Sequence, residues 1–145
     1  MLRLIHTRLR VQTGFTMIEL LVVLLIIGIL AAIAIPTFLT QKSKAIDASA
    51  KSQVRTAETA AETYDVDHNG YKGMSVGELQ TIEPTLKEET TTKLVKAEEK
   101  AGGYLLESES VQTKNTFSIE RTAGGQFVRK CSTETTGGCP AGGKW

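Results

Sequence analysis

One carboxylate stands at the edge of a long apolar run near the start of the chain. Glu19 directly precedes the segment Leu20–Ile35, in which no side chain is charged or polar. A charged group beside such a run loses hydration, at a cost of roughly 2.5–3.5 kcal/mol at the centre of a membrane and less near its surface. Ion pairing with a nearby positive group is the chemistry that would offset this loss. Glu19 is therefore a candidate functional residue.

The residues before this run are basic. Residues 1–14 contain Arg3, Arg8 and Arg10 and no acidic residue. A secretory signal peptide carries its apolar stretch before the cleavage point and loses it, whereas cleavage after Gly14 would leave a membrane segment on the mature chain. The positive charges favour a cytoplasmic leader and translocation of the rest. An uncleaved N-terminal anchor is the alternative, but it does not explain the spacing Gly-Phe-Thr-x-x-Glu.

The segment GFTMIELLVVLLIIGILAAIAIP closely resembles the N-terminal signature of type IVa pilins and pseudopilins, with Phe15, Glu19, Gly28 and Pro36 at the positions of the family pattern. The resemblance implies that a prepilin peptidase cuts between Gly14 and Phe15 and methylates the new Phe15 amine. It also implies that Glu19, one helical turn away, pairs with that amine in a neighbouring subunit. Pairing within the same helix, or interaction with the helix dipole, is the alternative.

The apolar pattern predicts one long helix with two different halves. Ile18–Ile35 is long enough, or nearly so, to cross a bilayer, and Gly28 and Pro36 are expected to loosen or kink it. An amphipathic face then continues to Tyr64. That face comprises Leu39, Ile46, Ala50, Val54, Ala57, Ala61 and Tyr64. The other positions are largely charged, namely Lys42, Lys44, Asp47, Lys51, Arg55, Glu58 and Glu62.

The rest of the chain predicts a small α+β head. Ser75 and Glu78 form a capping-box pattern for a short helix, and an antiparallel sheet of three or four strands follows. Its strands are expected at 104–111, 116–122 and 126–131, with an edge strand at 90–95. The resemblance implies a pilin fold, in which the second half of the long helix packs on the sheet. The expected divisions are a leader at 1–14, a membrane or filament-core helix at 15–36, an amphipathic half at 37–64, and a head at 65–145 with an αβ-loop, the sheet and a C-terminal disulfide loop.

Two cysteines, Cys131 and Cys139, lie near the C-terminal end. The seven residues between them fit no common zinc spacing. In a translocated domain they are expected to form a disulfide, which would stabilise the head by about 2–3 kcal/mol. Free thiols in a cytosolic chain are the alternative, and the membrane segment argues against it.

A weak calcium motif follows the long helix. Asp65, Asp67 and Asn69 read D-x-D-x-N-G, the first half of an EF-hand loop. Val76 stands where that loop needs a glutamate, so we expect an Asn-Gly turn that ends the helix and no metal site. No cofactor is expected, and because no nucleophile, base and acid are suitably placed, we expect that the protein is not an enzyme.

Charge gives no global sign of nucleic-acid binding. The formal net charge is +1, and removal of the three leader arginines leaves 14 basic against 16 acidic side chains. A local basic and aromatic patch is an alternative to ordinary solvated strand charges, which we favour. This patch comprises Arg121, Phe127, Arg129, Lys130, Lys144 and Trp145.

The resemblance implies a structural subunit of a type IV pilus, a homo-oligomeric helical filament that serves adhesion, twitching motility or DNA uptake. Its implied partners are the prepilin peptidase, an inner-membrane platform protein and an assembly ATPase. The subunit would cross the cytoplasmic membrane once before assembly and be extracellular in the filament afterwards.

Other family members remain alternatives: a pseudopilin of a type II secretion or competence system, a minor pilin, or a DNA-binding pilin. Major type II pseudopilins usually bind calcium in an acidic C-terminal loop, whereas residues 131–145 contain only one acid, Glu134. Minor pilins often lack the acid that Glu19 supplies. Both comparisons favour a major pilin.

Overall fold

The computed structural model describes residues 14–145, so most of the predicted leader lies outside the described residues. The described chain consists of two compact units, one ending at Thr37 and the other formed by Phe38–Trp145. One helix, α1 (Met17–His68), supplies nearly all of the first unit and the first element of the second. The fold is the α+β arrangement that the sequence predicts.

Within the described part of the first unit, residues 17–37 form an uninterrupted apolar helical segment. Leucine, isoleucine and alanine dominate it, and the first and last of these are strong helix formers. Pro36 lies inside α1, where it cannot donate a backbone hydrogen bond. The hydroxyl of Thr37 donates to the carbonyl of Ala34 at 2.8 Å. The helix assignment is continuous through Gly28 and Pro36, and a bend at either residue stays a prediction.

The predicted helix end at Tyr64 is wrong by four residues, because α1 continues to His68. The His68 ring stacks on Tyr64, with 4.0 Å between the ring centroids, and its Nδ1 lies 3.1 Å from the Tyr64 carbonyl oxygen. His68 is therefore part of the exposed last turn of α1. Asn69 and Gly70 then take positive φ angles of 56° and 144°, which end the helix.

In the second unit, one face of α1 is buried from Asp47 onward. Leu39, which the periodicity places on this face, is exposed, and Ile46 is only half-buried. Asp47, predicted on the charged face, is fully buried. The alanines on the buried face bring the helix backbone close to the sheet. The buried residues of α1 are Asp47, Ala50, Gln53, Val54, Ala57, Ala60, Ala61 and Tyr64.

A short connection follows α1. The predicted capping residue Ser75 accepts a hydrogen bond from the Glu78 N–H at 3.3 Å and starts α2 (Val76–Ile82). A 3₁₀ turn at Pro84–Lys87 comes next. Each segment buries one leucine, Leu79 in α2 and Leu86 in the turn, and these anchor the connection on the core.

Four antiparallel strands form one sheet in the order β1-β2-β3-β4. They are β1 (Thr92–Lys100), β2 (Gly103–Ser110), β3 (Thr116–Arg121) and β4 (Phe127–Cys131). The edge strand β1 is longer than the predicted 90–95, because the whole length of β2 pairs with it. Alternate residues face α1 and form the core with its alanines. These are Leu94, Ala97, Tyr104, Leu106, Phe117 and Ile119.

Candidate assembly and processing sites

The predicted assembly residue, Glu19, belongs to a capping box at the start of α1. Glu19 Oε2 accepts hydrogen bonds from the Thr16 N–H at 3.3 Å and from the Thr16 hydroxyl at 3.1 Å. The Glu19 N–H donates to the Thr16 hydroxyl oxygen at 3.2 Å. This reciprocal pattern satisfies two backbone donors that no helical carbonyl reaches. Sequence reasoning missed Thr16, although its Thr-x-x-Glu spacing was the available signal.

The predicted processing residues Gly14 and Phe15 precede this cap and lie outside the helix. The Phe15 side chain is 88% exposed. The peptide bond between the two residues therefore has no helical hydrogen bonds that would hinder a peptidase. Cleavage there and methylation of Phe15 stay predictions.

An uncovered apolar surface surrounds the following turns of α1. The helix is long and apolar enough to cross a membrane by length and composition. Its large apolar side chains from Met17 to Leu39 are exposed on every side, and such a surface requires lipid or neighbouring protein. Glu19 is the only charged side chain in this stretch.

The predicted disulfide is present at the other end of the chain. Cys131 at the end of β4 is bonded to Cys139, with 5.8 Å between their Cα atoms. Cys139 is buried against the core, and Cys131 contacts it from the edge. The closed loop between them is short and rich in threonine and glycine, so it depends on outside contacts for a fixed conformation.

Asp47 supplies those contacts, and sequence reasoning missed it. Its Oδ2 accepts hydrogen bonds from the Gly138 N–H and the Asn115 side-chain amide, both at 2.7 Å. Its Oδ1 accepts one from the Thr113 hydroxyl. A Cβ atom at Gly138 would lie 2.8 Å from the Asp47 Cβ, so only glycine allows this approach. No local pattern marks these partners, because Gly138 is 91 positions away.

Lys51, one turn further along α1, also binds the disulfide loop. Its ammonium donates to the Gly138 carbonyl at 2.6 Å and lies 5.2 Å from the Phe117 ring centroid. Burial lowers the pKa of Lys51, and the negative charge of Asp47 opposes that shift. Both peptide groups of Gly138 are thus held by α1.

The structure brings together only part of the alternative basic and aromatic patch, around Trp145. Trp145 packs edge-to-face on Phe117 and donates from its indole N–H to the Lys130 carbonyl at 2.8 Å. The charged groups of Arg55 and Arg129 lie 5.2 and 5.8 Å from its ring centroid, and that of Lys51 lies at 5.6 Å. Arg121, in contrast, lies away from this cluster and pairs with Glu62 at 3.3 Å.

Glu62 is the centre of a second cluster that joins α1, the connection and the sheet. Its carboxylate accepts hydrogen bonds from the Tyr104 hydroxyl at 2.8 Å and the Tyr71 hydroxyl at 3.2 Å. Burial, reinforced by the Glu62 charge, raises the pKa of Tyr71 to about 12. Burial, followed by the hydrogen bond to Glu62 and its charge, raises the pKa of Tyr104. Both hydroxyls therefore stay protonated donors at neutral pH.

The weak calcium motif takes a helical form. Asp65 and Asp67 belong to the last turn of α1, where residues two apart point to different sides. Asn69 forms the turn that follows. Within residues 14–145, no group of three or more His, Cys, Asp or Glu side chains is placed to hold a metal ion.

Comparison with known proteins finds a family motif near the start of the chain. Residues 9–35 match the prokaryotic N-terminal methylation motif. The chain is 37% identical over 76 residues to the type II secretion system core protein G of Escherichia coli (strain K12), which covers 52% of each chain. It is 37% identical over 79 residues to the protein of that name from Vibrio cholerae, which covers 54% of each chain.

A second kind of relative is the type IV wide pilus major component PilA4 of Thermus thermophilus. The identity is 43% over 58 residues, which cover 40% of this chain and 44% of the relative. All three matches thus span about half or less of each relative's length. No solved structure is significantly similar to the chain.

Proposed function

We propose that this chain, which belongs to the type IV pilin and pseudopilin family, is a structural subunit of a helical filament. The observation that carries the proposal is the uncovered apolar surface of α1 between Met17 and Leu39. Before assembly, this segment would lie in the membrane. In the filament, the same segments of many copies would cover one another and form the core.

Processing prepares the subunit for assembly. A prepilin peptidase would cut after Gly14 and methylate the amine of Phe15. The new positive charge would lie one helical turn from Glu19. In the filament, the Glu19 carboxylate would leave the Thr16 cap and pair with the Phe15 amine of a neighbouring copy. Such a buried pair sets axial register more than it adds stability, because desolvation offsets much of the attraction.

This function needs no catalytic group and no cofactor from the chain itself. Cleavage, methylation and extraction from the membrane would be performed by the peptidase, a membrane platform protein and an assembly ATPase. The whole second unit, Phe38–Trp145, includes the second half of α1 and is called the head from here on. It would present its surface to neighbouring heads and to the surroundings of the filament.

A pseudopilin of a type II secretion system is the second candidate. The relatives named type II secretion system core protein G favour it, since they match more of this chain than the Thermus pilin does. The disulfide-closed loop with its single acid, Glu134, favours a pilus subunit. Both candidates share the processing and the filament core. They differ in whether the filament reaches the cell surface or stays within the cell envelope.

Mass spectrometry of filaments sheared from the source cells tests the proposal. We expect a dominant peptide that begins at N-methylated Phe15, and we expect Gly14→Ala to abolish it. Its presence in the sheared surface fraction would assign a pilus. Its confinement to the cell envelope would assign a pseudopilin. A chain that keeps its leader in every fraction would contradict both.

A further inference from the structure

Charged residues form a continuous stripe along one face of α1 in the head. Successive members are three, four or seven positions apart and therefore lie on the same side of the helix. The first half of the stripe is basic and the second half is acidic. In chain order the members are Lys44, Lys51, Arg55, Glu58, Glu62 and Asp65.

The middle of the stripe is neutralised inside the head. Glu58 pairs with Arg129 of β4 at 3.8 Å. Glu62 pairs with Arg121 of β3 at 3.3 Å. These pairs leave the two ends of the stripe as the uncompensated parts.

The lower end of the head, nearer the start of α1, carries excess positive charge. Lys44, Arg55 and Lys144 are exposed, and none has an ion-pair partner among residues 14–145. Arg55 is held over Trp145 beside two further cations. Asp47, the acid that lies between Lys44 and Arg55 on α1, is buried and satisfied by the disulfide loop. We refer to Lys44, Arg55 and Lys144 as the basic end.

The upper end, where α1 stops, carries excess negative charge, because its four acids outnumber two exposed lysines, Lys72 and Lys100. Asp65 and Asp67 lie in its last turn, and within the described chain neither has an ion-pair partner. The β1–β2 hairpin adds Glu98 and Glu99 at this level, because Tyr104, which pairs with Glu99, also donates to Glu62. We refer to these four acids as the acidic end.

We propose that the basic end of one head docks on the acidic end of a second copy of this chain that is shifted along the helix axis. The centres of the two ends are about 16 residues apart on α1, which corresponds to a shift of about 24 Å. A contact between different patches of identical subunits cannot close into a ring when each copy is shifted along the axis, so it propagates into a helical array. This inference rests on the proposed filament and specifies how its heads meet.

A second copy fits the basic end better than a nucleic acid does. The acidic end of the same head would repel a phosphate backbone, and the processed chain has a net charge of −2. The head itself supplies the complementary surface in equal stoichiometry. Complementary charges of this kind fix register and exclude wrong partners more than they add raw affinity.

Charge reversal in the full-length chain tests the docking. The chain is expressed in source cells that lack the wild-type gene, and sheared filaments and processed membrane-bound subunit are both quantified. Lys44→Glu/Arg55→Glu and Asp65→Lys/Asp67→Lys should each reduce filaments by about tenfold or more, because like charges then meet. The four changes combined in one chain should restore filaments, because the ends are exchanged and complementary again. The control, Lys87→Glu in the 3₁₀ turn combined with Lys93→Glu at the start of β1, should assemble normally.

The outcomes separate this inference from the proposed function. Normal filaments from both reversed pairs would overturn the docking and leave the filament subunit intact. Failure of the combined variant to assemble, with its processed subunit at wild-type level in the membrane, would overturn it too. If Lys44→Glu/Arg55→Glu filaments form normally but lose salt-sensitive DNA binding, the basic end serves nucleic acid instead. Absence of filaments from the wild-type chain itself would contradict the proposed function.

Discussion

The Asp47 carboxylate accepts a 2.7 Å hydrogen bond from the N–H of Gly138. This contact joins the long helix to the loop closed by the Cys131–Cys139 disulfide. One turn later, Lys51 holds the Gly138 carbonyl. The loop is therefore fixed by one covalent bond at its ends and by two helix side chains at its glycine.

Removal of the Asp47 carboxylate should destabilise the head substantially. Asp47→Ala leaves the Gly138 N–H and the Asn115 amide without their shared acceptor in a buried site. Hydrogen bonds to a charged group contribute about 1.5–3 kcal/mol each, so we expect a loss of roughly 2–4 kcal/mol. Urea unfolding of the detergent-solubilised processed chain measures it. Asp67→Ala is the control, and a loss as large from that exposed residue would contradict the assignment.

The disulfide and Asp47 should act cooperatively because they fix the same loop. Cys131→Ser/Cys139→Ser alone should lower the free energy of unfolding by about 2–3 kcal/mol. The loop should stay protected from proteases while Asp47 is present. Adding Asp47→Ala should expose residues 132–138 to cleavage and give a non-additive loss of stability. Cleavage at those residues in the disulfide variant alone would show that Asp47 does not hold the loop.

The Glu62 cluster predicts a loss of stability at high pH. The pKa of Tyr71 is about 12 in the folded chain, above its usual value of 10.0. A raised pKa stabilises the fold fully below pH 10 and progressively less between pH 10 and 12, since the unfolded chain loses the proton first. Tyr71→Phe should therefore make stability less dependent on pH in that window. A pH titration of tyrosinate absorbance measures this, because Tyr71→Phe should remove a component whose midpoint lies near pH 12. A removed component with a midpoint near pH 10 would contradict the argument that burial raises the pKa of Tyr71.

Features encoded by neighbouring residues were predictable from the sequence. The apolar run, the alternating strands and the Ser75 cap each rest on contacts within a few positions. The disulfide followed from compartment and spacing. The packing of the long helix on the sheet was predicted from the family resemblance in the first part of the chain, because periodicity alone does not predict it.

Features that depend on distant residues were not predictable. Asp47 fits a charged helix face by periodicity, and only the loop at Gly138 makes its site a buried one. The extension of β1 to Lys100 depends on the length of its partner β2. The gathering of cations at Trp145 requires α1, β4 and the C-terminal loop together. Each case is set by tertiary contacts that override a local pattern.

Variants of Glu19 should distinguish its role in the helix cap from the role of its negative charge in subunit pairing. Glu19→Gln keeps an acceptor at the third helical position, where glutamine also completes a capping box with Thr16, but it cannot pair electrostatically with the Phe15 amine. Glu19→Ala loses both. If the ion pair sets filament register, both variants should be cleaved after Gly14 and methylated, and both should yield few or no filaments. Electron microscopy of sheared fractions and the mass of the N-terminal peptide measure these outcomes. Normal filaments from Glu19→Gln would show that Glu19 serves the helix cap and not subunit pairing.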